Sequence, residues 1–119
     1  MYPDKTNNIM VIDFNNIELS IQPHFKGGEG DTKSRTFFDG VNRIASGCLE
    51  PGCTIGYHSH DTSCEMIYIL SGKARCLYDD GEEFLSPGQC HYCPKGHSHS
   101  LINDSPTEPL TYLAIVPQQ

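Results

Sequence analysis

Gly52-Cys53-Thr54-Ile55-Gly56-Tyr57-His58-Ser59-His60-Asp61-Thr62-Ser63-Cys64-Glu65-Met66-Ile67-Tyr68-Ile69-Leu70-Ser71-Gly72 is the stretch that decides how this chain folds. Residues 54–60 and 65–70 are short runs rich in β-favouring side chains and bounded by turn residues, and they read as two strands. The four residues Asp61 to Cys64 between them let the second strand return antiparallel. On a strand, positions i and i+2 share a face roughly 7 Å apart, so His58 and His60 aim both imidazoles at one point. The return brings the Glu65 carboxylate beside them, and two neutral nitrogens and an anionic oxygen then converge as a metal half-site. A single strand histidine is ordinarily a hydrogen-bonded structural group or a surface residue. The joint pattern Gly-x5-His-x-His-x4-Glu-x6-Gly is different, because at average residue usage its five fixed letters recur in roughly one chain of this length in ten thousand.

Outward from this segment the chain keeps the same character. No dozen-residue window holds apolar positions at helical spacing. Further strands are expected over 9–13, 17–21, 35–38, 41–49, 74–78, 82–85, 90–93, 98–103 and 110–116, separated by turns such as Glu50-Pro51-Gly52, Ser86-Pro87-Gly88 and Pro94-Lys95-Gly96. Many short strands at this spacing predict an all-β sandwich or barrel, with 1–119 as a single domain. Gly27-Gly28-Glu29-Gly30 reads as a mobile loop, since neither a helix pattern nor a Lys-Ser/Thr pair follows it as a phosphate loop requires. Asp79, Asp80, Glu82 and Glu83 straddle a hairpin signal and read as a solvated tip rather than a calcium site.

Composition narrows the function. Among 119 residues, eight Lys plus Arg face fifteen Asp plus Glu for a formal charge of −7, which argues against a nucleic-acid surface. The short apolar run over 9–12 is ended by Asp13 before a signal peptide or membrane span could form. The expectation is therefore a cytoplasmic protein with no membrane partner, whose six cysteines are free thiols.

A second block, Gly88-Gln89-Cys90-His91-Tyr92-Cys93-Pro94-Lys95-Gly96-His97-Ser98-His99-Ser100-Leu101-Ile102-Asn103, reads Gly-x5-Pro-x-Gly-x2-His-x3-Asn. His97 and His99 are again spaced i, i+2, and by geometry either could complete the site. Together the two blocks, over 52–103, resemble the motifs of the cupin superfamily at every fixed position, with the short inter-motif stretch of small single-domain microbial cupins. The resemblance implies a double-stranded β-helix, the jelly-roll barrel, with residues 1–40 supplying N-terminal strands. It also implies one divalent metal ion held by His58, His60, Glu65 and His99. The family spacing selects His99 and leaves His97 as a neighbouring or pocket-mouth group. An all-histidine zinc site built from both His-x-His pairs would leave the Glu65 charge without a partner. Three imidazoles and one carboxylate suit Mn, Fe, Co, Ni, Cu or Zn, and ligand type does not choose among them.

Regular alternation would put Thr54 and Gly56 on the face of His58, Ile67 on that of Glu65, and Leu101 and Asn103 on that of His99, giving a mostly apolar pocket. Gly56 would leave room at the metal. Arg43, Tyr78, His91, His97 and Tyr112 are the remaining candidates for groups near the site. The expected function is a metal-dependent enzyme of oxidoreductase or lyase type, acting like a dioxygenase or decarboxylase on a small metal-chelating carboxylate, diketone or enol. The alternatives are a non-redox zinc isomerase or cyclase, and a non-catalytic metabolite-binding or sensor protein. Resemblance also implies a homodimer paired through sheet edges, with 9–12 and 17–21 as candidate contacts.

Overall fold

The computed structural model describes residues 10–119. Among them ten strands form two antiparallel sheets. They are β1 (Ser20–Pro23), β2 (Asp31–Phe38), β3 (Asn42–Leu49), β4 (Thr54–Ser59), β5 (Glu65–Ser71), β6 (Ala74–Tyr78), β7 (Gly81–Leu85), β8 (Cys90–Cys93), β9 (Ser98–Asn103) and β10 (Leu110–Pro117). One sheet runs β1-β2-β3-β10-β5-β8 and the other β4-β9-β6-β7. Strands adjacent in sequence repeatedly fall in opposite sheets, so the chain winds back and forth between two faces as in a jelly roll.

The alternation of each strand explains what lies between the sheets. Leu49, Ile55, Ile67, Ile69, Cys76, Leu85, Leu101, Leu110 and Tyr112 point inward and form one contiguous core, while alternate neighbours such as Tyr68, Leu70, Phe84 and Tyr92 face outward. Asn103, at the end of β9, ties the far end together. Its amide donates to the carbonyls of Leu49 at 2.8 Å and Glu108 at 2.9 Å, and its carbonyl accepts from the Ser105 amide at 2.8 Å.

The N-terminal region departs from expectation. Of the strand expected over 9–13, Ile9 lies outside the described residues and 10–13 form no strand. Asp13 instead caps a 3-10 turn, Phe14–Asn16, its carboxylate accepting from the Asn15 amide at 3.0 Å. The strand expected over 17–21 is displaced to Ser20–Pro23, at the edge of the larger sheet. β2 begins at Asp31, four residues before the sequence signal at Arg35.

Residues 24–30 are not a free loop but a strap laid across β4. Gly28 is buried, and a methyl group on it would sit 2.1 Å from the Thr54 carbonyl oxygen; one on Gly56 would sit 2.0 Å from that of Lys26. Two glycines on two segments thus allow a backbone-to-backbone approach that no side chain permits. The Thr54 hydroxyl accepts from the Glu29 amide at 2.9 Å and fastens the same contact.

Candidate metal centre

Pairing between β4 and β9 sets the site. Ile55 stands opposite Leu101 and His58 opposite His99, so Gly56 and Tyr57 on β4 face a single residue, Ser100, on β9. This is a β-bulge, and it reverses the alternation on β4. Ile55, not Thr54 or Gly56, shares the inner face with His58, while Gly56 serves the strap and Tyr57 is exposed. His60 follows the end of β4, held by exchange with the turn leading into β9: its amide donates to the His97 carbonyl at 3.0 Å and its carbonyl accepts from the Gly96 amide at 2.6 Å. Glu65 opens β5 after the turn and points at the same place from the other sheet.

The four side chains meet. One ligand atom from each of His58, His60, Glu65 and His99 lies within 4.8 Å of all the others. His60 Nε2 is 3.1 Å from His58 Nε2, 3.0 Å from His99 Nε2 and 3.0 Å from Glu65 Oε1, and His99 Nε2 is 2.7 Å from the same oxygen.

The outer nitrogens are already engaged. His58 Nδ1 is 2.7 Å from the Gly56 carbonyl, which only accepts, so Nδ1 carries the proton and the neutral ring presents a lone pair at Nε2. His60 Nδ1 is 3.1 Å from the Ser63 hydroxyl, and His99 Nδ1 is 3.0 Å from His91 Nε2. Burial lowers the pKa of His58, which favours that neutral, ligating form. Burial alone would push the Glu65 carboxyl up, but hydrogen bonding and charge from His60 and His99 outweigh it and bring it to about 2. Glu65 is thus an anion across the physiological range, facing imidazoles that satisfy it through protons or through a shared cation.

This arrangement fits a divalent transition metal. Bonds of roughly 2.1 Å place neighbouring donors of an octahedral ion roughly 3.0 Å apart, the spacing found among the ring nitrogens. His58, His60, Glu65 and His99 would hold such an ion and leave it accessible to an outside ligand from the adjoining cavity. The adjoining cavity, about 30 Å³, is lined by Phe25, Ile55, His58, Glu65, Ile67, His99 and Leu101. That is room for about two water-sized groups against a largely apolar wall.

The other sequence candidates fall in distinct places. Ile67 and Leu101 line the cavity; Thr54, Gly56 and Asn103 do not, because the first two hold the strap and the third ties β9 to Leu49 and Glu108. His97 is half exposed and pairs with Asp79 at 2.6 Å, outside the cluster. Arg43 stacks over Phe38 at 4.6 Å on the exterior. Tyr112 is buried against Gly47, and Tyr78 is partly exposed with its ring 6.2 Å from that of His91. His91 is buried and bonds both His99 and Glu83. Sequence reading missed three residues of the neighbourhood. Glu83 was readable from strand parity with Leu85, whereas the inward turn of Ile55 depends on the bulge against β9 and Phe25 arrives on the strap with no local signal.

All six cysteines are free thiols, and none lines the cavity. Cys90 is exposed and Cys93 buried, on opposite faces of β8, which is not the geometry of a redox pair.

Comparison with known proteins agrees with this architecture. The chain matches the family described as Cupin domain over residues 46–116. It is 27% identical over 100 residues to an oxalate-binding protein of Thermotoga maritima, spanning 78% of this chain and 81% of that one. Among solved structures, a predicted oxalate decarboxylase from Thermotoga maritima superposes with a TM-score of 0.85 at 24% identity, covering 92% of this chain and all of that one, 100%. The cupin domain of Cnp3 from Schizosaccharomyces pombe gives 0.74 at 12% identity, covering 92% and 74%. At these identities the structural likenesses establish the fold alone.

Proposed function

The chain belongs to the cupin family, and from that premise we propose that it is a mononuclear metalloprotein whose ion, held by His58, His60, Glu65 and His99, captures a small chelating carboxylate such as oxalate. The observation that carries this is the convergence of His60 and His99 Nε2 on the Glu65 carboxylate, with His58 Nε2 beside them and the outer nitrogen of each ring hydrogen-bonded away from the centre. The ion would supply Lewis acidity and, with a redox-active metal, electron transfer to dioxygen, supporting dioxygenase- or decarboxylase-like chemistry. The chain's own contribution is placement and dryness. Phe25, Ile55, Ile67 and Leu101 exclude water around the open side of the cluster, where a bound anion then feels the site's charge undiluted. The relative named as an oxalate-binding protein supports a compact dianion as the ligand class.

Calorimetric titration of oxalate into the metal-loaded protein tests this reading. Binding is expected to the loaded form and to vanish after chelation, and turnover would convert oxalate and a proton to formate and carbon dioxide. The reading fails if no chelating carboxylate, diketone or enol perturbs the loaded centre. Binding without turnover would favour the sensor alternative, which one observation supports: among the described residues, no acid or base other than the ligands lines the cavity. Turnover by the zinc form without oxygen would favour non-redox chemistry. A homodimer formed through the β1 edge, where Leu19 and Ile21 are exposed, belongs to the same proposal, and light scattering would report its mass.

A further inference from the structure

A continuous hydrogen-bonded chain joins the ligand cluster to the barrel surface. Glu83 on β7 faces inward, in the parity of Leu85, and its Oε1 lies 2.5 Å from His91 Nδ1. His91 Nε2 lies 3.0 Å from His99 Nδ1. The two rings are tilted by only 21° with centroids 5.1 Å apart, so the bond runs edge to edge along nearly coplanar rings. The His91 side chain is 3% exposed and that of Glu83 40%. Neighbouring Glu82 points the other way and pairs with Arg75.

We propose that Glu83 and His91 are positioning residues that set the tautomer of His99 from the surface inward. The assignment follows from what each atom is able to do. An ionised carboxylate only accepts, so His91 Nδ1 is the donor. Neutral His91 then has a bare Nε2, which accepts from His99 Nδ1–H. Once a cation takes the place of the proton that His99 Nε2 otherwise shares with Glu65 at 2.7 Å, a His99 protonated at Nδ1 presents its Nε2 lone pair to the metal position. Without Glu83, His91 is free to carry its proton on Nε2 and donate to His99 Nδ1, which moves the His99 proton onto Nε2 and closes the ligand atom. The anionic end of the chain also makes His99 a stronger donor. The proposal rests on the metal-binding reading for its consequence, but not for the tautomer itself.

Two measurements on Glu83→Ala, Glu83→Gln and a Glu82→Gln control separate these levels. Imidazole nitrogen NMR of the metal-free wild type should show His91 and His99 protonated at Nδ1 and His91 bare at Nε2. Glu83→Ala should lose that pattern; Glu83→Gln, whose amide oxygen still accepts, should keep it. Cobalt(II) titration followed by visible absorption should show affinity falling about 10–100-fold in Glu83→Ala, less in Glu83→Gln, and unchanged in Glu82→Gln. A general loosening of the barrel would weaken binding without switching the tautomer. The proposal is overturned if Glu83→Ala keeps the wild-type tautomers, or binds cobalt within about twofold of wild type. Failure of the wild type itself to bind cobalt would sink the metal-binding reading, while the NMR arm would still decide the tautomer.

Discussion

His58 and Asn103 both occupy motif positions, yet they do different work. His58 turns one nitrogen to the Gly56 carbonyl and the other to the cluster. Asn103 spends its hydrogen-bonding groups on Leu49, Glu108 and Ser105. Its motif position therefore reflects architecture rather than ligand contact. Asn103→Ala leaves the buried Leu49 carbonyl without its side-chain donor and should lower stability by about 2 kcal/mol, read as a fall in the urea midpoint. The cysteines offer a second residue-level check. Burial pushes the thiol of Cys76 up to about 12 and that of Cys93 to about 11. In the native protein a thiol reagent should label exposed Cys90 first, and should reach Cys64, Cys76 and Cys93 only as the barrel unfolds, as peptide mapping after timed labelling would show.

At the scale of elements, the strap and the bulge are one device. The extra residue on β4 turns Gly56 out of the cavity face, and Gly56 with Gly28 lets residues 24–30 lie flat on the strand and deliver Phe25 to the cavity. A methyl group at Gly56 would collide with the Lys26 backbone, which is not a flexible side-chain end. Gly56→Ala should cost about 2 kcal/mol or more by overpacking, and should displace Phe25, so denaturant unfolding and the cavity's affinity for a chelating acid should change together. Nine of the expected strands correspond closely to elements found, because their alternation is local information. The bulge was not legible: a period-2 pattern looks continuous through Ile55-Gly56-Tyr57-His58, and the irregularity exists only against β9. The strap was hidden for a related reason, since its partner lies more than twenty residues away.

For the whole molecule, the core packs between the sheets without using the ligand cluster, so the barrel should remain folded without metal. Chelation should leave the far-ultraviolet signature of β structure intact. Adding an ion to a hundredfold excess over its dissociation constant should stabilise the fold by about 2.7 kcal/mol, visible as a higher thermal midpoint. Collapse on chelation would instead mark the ion as structural. The sequence by itself determined the all-β class, most strands and the histidine and glutamate types of the cluster, because alternation, turn residues and His/Glu spacing act over a few positions. Local geometry left His97 and His99 equivalent, with only the family spacing selecting His99, and Glu83 read as part of a solvated tip. Only the tertiary structure decided that His99 faces the cluster while His97 faces Asp79, and that Glu83 reaches inward to His91. Those choices depend on which strands pair and in what register, and register is set by how two sheets close over a shared core rather than by any single segment.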